Sequence, residues 1–296
     1  MGNILTKQFY RQRKDFEDSC AGRDAGLTFP EGVRCSTDIA YADDGIKAHM
    51  LDIYRPEDSQ EKILPVIINV HGGGLIIGNK EFNRYFCALL CKKGFLVYSI
   101  EYRLIPDCLI YDQIADVFMA MDYIKERMAA DGGDSSHVYM AGDSGGACLI
   151  TYANAIQNNT NIARAANVTP SGLRINALGL ISGMFYTSRF DKIGLFLPKY
   201  LYGRDYKKTS FAKYVNPENR ELLNSLAPLW LVTSHNDFLR RYTTDFEKAL
   251  TRAEREHELV VFPKNKKLTH AFSVFEPFLP ESSAVIDMMV EYLMKF

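Results

Sequence analysis

Short apolar runs alternate with amphipathic segments along most of this chain. The run PVIINV at 65–70 is apolar except for Asn69, as expected for a strand buried on both faces. Residues 33–42 and 46–54 come before it and predict a β-hairpin joined around the turn sequence Asp43-Asp44-Gly45. Further strands are predicted at 95–102, 137–142, 175–182, 228–234 and 259–263.

Helical spacing of apolar residues fills the intervals between these runs. Between Phe82 and Leu90 the apolar positions recur three and four residues apart, and Gly94 is suited to end that helix. The same spacing predicts helices at 110–124 and 145–158 and a closing helix that includes 286–293. This alternation predicts an α/β fold with a central, mostly parallel sheet of about eight strands flanked by helices.

Two segments do not follow the alternation. Residues 1–30 contain a charged, weakly amphipathic helix, and residues 184–224 are aromatic and basic without a strand pattern. We expect one domain over residues 1–296, with these two segments forming a small helical cap over the carboxyl ends of the strands, where such sheets bind ligands. Surface decoration is the alternative for 184–224.

Composition narrows the choice of function. Hydrophobic residues make up 47% and the net charge is −1, so no overall field favours nucleic acid or stable membrane association. The six cysteines lack metal-ligand spacing, and we expect neither a metal nor a cofactor. No secretory pattern is present, so a cytoplasmic protein is expected; the pattern M-G-x-x-x-[ST] at Met1 permits acylation but arises readily by chance.

The sequence Gly-Asp-Ser-Gly-Gly at 142–146 stands between a predicted strand and a predicted helix. A G-x-S-x-G sequence in this context is typical of a nucleophile elbow, in which a sharp turn exposes the serine. We therefore predict Ser144 as a catalytic nucleophile. The alternative is a tight turn in which the serine only caps the helix.

Three glycines follow His71 at the end of the strand 65–70. Their amides, free of side-chain cover, can point at a developing oxyanion, and the amide after the nucleophile completes such a hole. We predict Gly73, Gly74 and Gly145 as the donors, and a structural role for His71. A phosphate-binding loop is disfavoured because no Gly-Lys-[Ser/Thr] follows.

The general base and the acid are expected downstream of the serine, in the order Ser, acid, His. Among the later histidines, His235 lies too close to Asp237 in sequence and His257 lies in a charged run interpreted as a solvated helix end. His270 follows the last predicted strand and is predicted as the base. Asp237 is predicted as the acid, with capping of the next helix as its alternative role.

Together these residues resemble the hormone-sensitive-lipase-like branch of the α/β-hydrolases. The resemblance rests on HGGG at 71–74, EYRLIPD at 101–107, GDSGG at 142–146, and the segments around Asp237 and His270. It implies a carboxylesterase acting on short acyl esters, such as acetyl esters, through a Ser-His-Asp triad, without a cofactor and with a helical cap.

This chain departs from the family pattern at several positions. Gly145 stands where the family usually has alanine, Ala271 where it usually has glycine, and Leu75 where an aromatic residue is usual. We expect a small-molecule ester substrate. A serine peptidase of the same fold and a non-catalytic ligand receptor remain alternatives, and a homodimer stays open.

Overall fold

The computed structural model describes residues 2–59 and 62–296; Met1, where the acylation pattern begins, lies outside them. Within the described residues, eight strands form one sheet in the order β1-β2-β4-β3-β5-β6-β7-β8. The strands are β1 (Val33–Ala40), β2 (Met50–Pro56), β3 (Leu64–Val70), β4 (Leu96–Ile100), β5 (Gly133–Asp143), β6 (Ala177–Ile181), β7 (Leu229–Ser234) and β8 (His257–Phe262).

The sheet is mixed but mostly parallel, as the sequence predicts. Strand β2 pairs antiparallel with β1 and with β4, whereas the remaining neighbours from β4 to β8 pair in parallel. Parallel strands end at the same edge of a sheet, so the segments that follow β3, β5, β7 and β8 come together there.

Helices cover both faces of the sheet. They are α1 (Gly2–Asp24), α2 (Arg84–Lys92), α3 (Ile110–Arg127), α4 (Ser144–Gln157), α5 (Thr160–Ala166), α6 (Lys192–Phe196), α7 (Pro198–Leu201), α8 (Arg220–Asn224), α9 (Arg240–Arg252), α10 (Phe272–Phe275) and α11 (Pro280–Leu293). Alternate strand residues enter two cores: Ile68 packs with side chains of α3, α4 and α9, and Ile67 with those of α2 and α11. The predicted α/β-hydrolase architecture is confirmed.

The opening hairpin differs from its prediction. Its second strand begins at Met50, not at residue 46, and Ala40 pairs with Met50 across a long loop rather than a tight turn. The loop is held by buried His49, whose ring nitrogens lie 2.6 Å from Asp44 Oδ2 and 3.1 Å from Asp116 Oδ1. The Tyr41 amide still donates to the His49 carbonyl at 3.0 Å, so the backbone pairing of the two strands reaches His49 and stops there.

Smaller differences affect the ends of other elements. Strand β5 begins at Gly133, four residues before the prediction, and the helix predicted from Phe82 opens with a 3-10 turn over Lys80–Asn83. His257 begins strand β8, so the interpretation of its segment as a helix end was wrong. The central strands and the main helices otherwise lie where the periodicity places them.

The two segments outside the alternation are helical. Residues 2–24 form α1, and residues 184–224 contain α6, α7 and α8 together with 3-10 turns at Tyr206–Lys208 and Ser210–Tyr214. None of the helices in the described ranges is long and apolar enough to cross a membrane.

Candidate active site

Ser144 lies on a sharp turn between β5 and α4. Its φ is +49°, a left-handed conformation that non-glycine residues rarely adopt. The turn needs a glycine two residues later, because a Cβ on Gly146 would come within 2.1 Å of the Val70 carbonyl oxygen. This close approach of α4 to the end of β3 explains the second glycine of the motif.

The structure brings Ser144, His270 and Asp237 together in one hydrogen-bonded chain. His270 Nδ1 lies 2.7 Å from Asp237 Oδ1, and its Nε2 lies 2.9 Å from Ser144 Oγ. A carboxylate can only accept, so Nδ1 carries the proton and Nε2 is left to accept from the serine hydroxyl. Ser144, Asp237 and His270 follow strands β5, β7 and β8. His270 is 126 residues from Ser144 and 33 residues from Asp237 in the sequence, but the parallel strands bring the three segments to one edge of the sheet.

Asp237 is buried and remains an acceptor. Burial would raise the pKa of its carboxyl, but hydrogen bonding and the charge of His270, with the Ser182 hydroxyl and the Leu239 amide, hold the pKa below its usual value. Its Oδ2 also accepts from Thr233 Oγ1 at 2.8 Å. The carboxylate is therefore fixed in position and ionised near neutral pH.

Ser182 is a residue of this site that the sequence analysis did not identify. It follows β6 with a φ of +51°, is buried, and its Oγ accepts from the Ala271 amide at 3.1 Å. The same hydroxyl is close enough to Asp237 to help lower the pKa of its carboxyl. One side chain thus ties the loop that carries the imidazole to the carboxylate that orients it. In the sequence Ser182 is only a serine at the end of an apolar run, so its position beside Asp237 and the Ala271 amide could not be predicted.

The glycine loop after β3 is held in place by Asp143, the residue that precedes Ser144. Asp143 Oδ1 accepts from the Gly72 amide and from Asn83 Nδ2, each at 2.9 Å. Complete burial raises the pKa of the Asp143 carboxyl, against the lowering effect of Asn83. Gly73 contributes its carbonyl to the amides of Ile76 and Ile77, which closes the loop into a turn.

The amides predicted as oxyanion donors have room for an external acceptor. In the described ranges, the amides of Gly73 and Gly74 donate to no backbone acceptor. Gly145 is in the first turn of α4, where amides have no partner within the helix. The loop and the helix approach each other closely, because a Cβ on Gly145 would lie 2.8 Å from the Leu75 amide nitrogen and 3.0 Å from that of Gly74.

This approach predicts the effect of the alanine that is usual at this position in the family. The Cβ of Gly145→Ala meets backbone atoms, so the loop must move and its amides lose their alignment. We expect kcat for p-nitrophenyl acetate to fall about 10- to 100-fold, less than the roughly 100- to 1000-fold loss that follows when one donor is removed outright. Gly22→Ala is the matched control, since its Cβ meets nothing within 4 Å. Full activity in Gly145→Ala would show that the loop adapts freely.

The other histidines considered from the sequence lie away from this chain of contacts. His71 is buried beneath the glycine loop, with Nδ1 2.8 Å from the Gly72 carbonyl oxygen and Nε2 3.0 Å from Glu101 Oε1. His235 Nδ1 accepts from Arg240 at 2.9 Å, and His257 Nδ1 donates to the Arg255 carbonyl. None of the three contacts Ser144.

A cavity of about 750 Å³ opens onto Ser144 and His270. Its walls come from the strand ends, from α1 and from the segment 184–224, and they are rich in phenylalanine. The lining includes Phe9, Phe16, Phe82, Phe196, Phe238 and Phe275. Pockets of this size bind small organic molecules.

Helix α1 is fixed over the site by arginines rather than by a broad apolar stripe. Arg13 donates to the carbonyls of Ile76, Leu104 and Ile105 and forms an ion pair with Asp107. Nearer the end of the helix, Arg23 donates to the Phe82 carbonyl and lies over the Phe82 ring, 4.5 Å from its centroid. Charge-assisted bonds of this kind hold a helix without deep burial.

Across residues 2–59 and 62–296, no group of three or more His, Cys, Asp or Glu side chains is arranged to hold a metal ion.

Comparison with known proteins adds three findings. A family model described as alpha/beta hydrolase fold matches residues 67–273. A probable isoprenylcysteine alpha-carbonyl methylesterase of Oryza sativa subsp. japonica is 29% identical over 190 residues, covering 60% of this chain and 45% of that protein. Esterase LipC of Mycobacterium tuberculosis is 31% identical over 122 residues, covering 41% and 30%. The chain spans less than half the length of these curated relatives.

Solved structures match over nearly the whole chain. Esterase B from Lactobacillus rhamnosis superposes with a TM-score of 0.92 at 22% identity, covering 99% of this chain and 95% of that one. A bacterial heroin esterase gives a TM-score of 0.73 at 22% identity, covering 98% and 92%. At this level of identity the likeness concerns the fold.

Proposed function

The chain belongs to the hormone-sensitive-lipase-like branch of the α/β-hydrolases, and from this premise we propose that it is a serine carboxylesterase that hydrolyses short-chain acyl esters. The observation that carries the proposal is the contact of Ser144 Oγ with His270 Nε2 at 2.9 Å, with Asp237 behind the ring. The relatives described as esterases are consistent with it. We also propose that residues 1–296 form one domain, with 1–30 and 184–224 as its cap.

In the first half of the proposed reaction, Ser144 Oγ attacks the ester carbonyl carbon while His270 Nε2 takes the hydroxyl proton. The carbonyl oxygen becomes an oxyanion, which accepts from the amides of Gly73, Gly74 and Gly145. Asp237 stabilises the imidazolium and remains an ionised carboxylate throughout. The tetrahedral intermediate then collapses, and the imidazolium donates its proton to the departing alkoxide, which leaves as the alcohol.

The second half repeats these steps with water. His270 takes a proton from a water molecule whose oxygen attacks the acyl carbon bound to Ser144. The second intermediate breaks the bond to Oγ, and the proton returns from His270 to the serine. The products are a carboxylic acid and the free enzyme. Every group in this cycle belongs to the chain, to the ester or to water.

The acyl group is proposed to be short because the segment 184–224 is small for building a long acyl tunnel. A series of p-nitrophenyl esters from acetate to dodecanoate tests this. We expect kcat/KM to be highest at acetate or butyrate and about 10-fold lower at octanoate, the effect of a few unaccommodated methylenes. Octanoate exceeding butyrate would contradict the short-chain proposal, and turnover of aminoacyl p-nitroanilides instead of esters would indicate a peptidase.

A further inference from the structure

The surface around the mouth of the active-site cavity carries exposed aromatic side chains. Phe190 is 92% exposed; it does not line the cavity itself, but it lies two residues before Lys192, which does. Phe196, on α6, is 56% exposed while lining the cavity, and Phe238 is 74% exposed against the His270 ring. Exposed apolar groups gathered at one opening are characteristic of a contact surface.

This mouth surface lies in the basic part of the molecule. Residues 1–30 and 184–224 together contain 13 Lys and Arg against 8 Asp and Glu, whereas the rest of the chain contains 22 against 28. The net charge of −1 is therefore the sum of +5 on these two segments and −6 on the rest of the chain. Two of these cations are near the opening. Lys192 lines the cavity. Lys199 lies over the Tyr200 ring, which packs edge-on against Phe9 in the cavity wall.

Helix α1 extends this basic border. Lys7 and Arg11 line a shallow hollow together with Gln12 and Asp15, and these last two residues also line the active-site cavity. The charged residues of α1 before Asp15 are all basic, although Arg11 Nε lies 3.7 Å from Asp15 Oδ2 in an exposed ion pair. The exposed phenylalanines are thus flanked by cations on both cap segments.

From this arrangement we propose that the mouth surface, formed by Phe190, Leu195, Phe196 and Phe238 with the basic border of Lys7, Arg11, Lys192 and Lys199, binds an anionic lipid surface. Phenylalanine rings enter the interfacial region of a bilayer, and lysine and arginine beside them bind acidic headgroups. The cavity then opens toward the lipid. An apolar ester reaches Ser144 from the lipid without crossing water, and this last step rests on the proposed function.

The size of the cavity also favours a lipid-soluble ester as the substrate. A short acyl group fills only a small part of about 750 Å³. The remainder, lined by Phe9, Phe16, Ile193 and Leu197, suits a bulky apolar alcohol. Esters of a short acid with an apolar alcohol partition into membranes, so a mouth that contacts lipid fits the substrate class. On this proposal the local charge of the two cap segments, and not the net charge, governs binding to a lipid surface.

Vesicle binding tests the proposal without turnover. Ser144→Ala protein is mixed with sedimentable vesicles of phosphatidylcholine alone or with about 30% phosphatidylserine. We expect binding to the mixed vesicles that weakens at about 0.5 M NaCl, because salt screens the basic border. Phe190→Asp should weaken binding about tenfold, since an inserted phenyl group is lost.

Ile63→Asp is the matched control, because Ile63 is also an exposed apolar residue, at 74%, but lies at the amino end of β3 away from the site. It should bind as the parent does. In the active enzyme, Phe190→Asp should leave hydrolysis of water-soluble p-nitrophenyl acetate unchanged and slow hydrolysis of decyl acetate embedded in vesicles.

Two results would overturn the proposal. One is the failure of the parent protein to bind the mixed vesicles, or its equal weakening by Phe190→Asp and Ile63→Asp. The other is a concentration-dependent dimer that Phe190→Asp dissociates, without vesicle binding, which would assign the basic cap to the acidic body of a second copy. Loss of activity on water-soluble esters concerns the proposed function alone, so the two failures are distinguishable.

Discussion

Replacing Ser144 by alanine is expected to lower kcat/KM for p-nitrophenyl acetate by about 10⁴- to 10⁶-fold, the range found when a triad nucleophile is removed. In the proposed mechanism the hydroxyl oxygen bonds to the acyl group. Its hydrogen bond with His270 Nε2 at 2.9 Å is the only one that the described chain gives that nitrogen. The measurement is steady-state hydrolysis, with a circular dichroism spectrum to show that the fold is retained.

A second serine in the same cavity provides the control. Ser19 is on α1 and lines the cavity, but it lies outside the chain of contacts that joins Ser144 to Asp237. Ser19→Ala should retain activity within a few-fold of the parent. An intact Ser144→Ala protein that still hydrolyses the ester at a substantial rate would remove Ser144 from the mechanism.

Replacing Asp237 by asparagine is expected to lower kcat about 10⁴-fold with little change in KM, the effect known for this substitution in a triad. An amide that donates toward Nδ1 favours the tautomer with its proton on Nε2, so the imidazole no longer accepts from Ser144. Thr233→Val is the graded comparison, because it removes only the 2.8 Å bond from Thr233 Oγ1 to Asp237 Oδ2. We expect that variant to lose about tenfold or less.

The pH dependence of stability gives an independent check on Asp237. Its carboxyl pKa is below the usual value in the folded protein, so its interactions stabilise the fold above about pH 4. That contribution disappears as the pH falls through the folded-state pKa. The difference in free energy of unfolding between the parent and Asp237→Asn should therefore shrink below about pH 4. A kcat for Asp237→Asn near the parent value would leave this carboxylate only a structural role, as the acceptor of the Thr233 hydroxyl and the Leu239 amide.

The sheet was predictable because its central strands are mostly apolar runs, as is typical of buried parallel strands; polar residues such as Asn69 and Ser99 are exceptions within them. The elbow and the glycine loop were predictable for a related reason. Their glycines mark close backbone approaches, such as that of Gly146 to the Val70 carbonyl oxygen. Both kinds of pattern are local in sequence, and so they can be read without knowing what the chain folds against.

Other features depend on contacts between distant segments. Ser182 contacts the Ala271 amide and Asp237 only because the ends of β6, β7 and β8 lie side by side. Helix α1 has only a weak apolar pattern in its sequence. It is held instead by the guanidinium groups of Arg13 and Arg23, which donate to backbone carbonyls. Strand β2 begins at Met50, later than predicted, and the loop before it contains the buried His49 ring in contact with Asp44. Such pairings leave no periodicity in the sequence.

Labelling with a fluorophosphonate tests the central claim most directly. A serine activated by a neighbouring imidazole displaces fluoride from phosphorus, and the covalent adduct is located by mass spectrometry of proteolytic peptides. We predict a single adduct on Ser144, formed rapidly by the parent protein and slowly by Asp237→Asn. An esterase that hydrolyses p-nitrophenyl acetate while the label settles on another residue, or on none, would contradict the account.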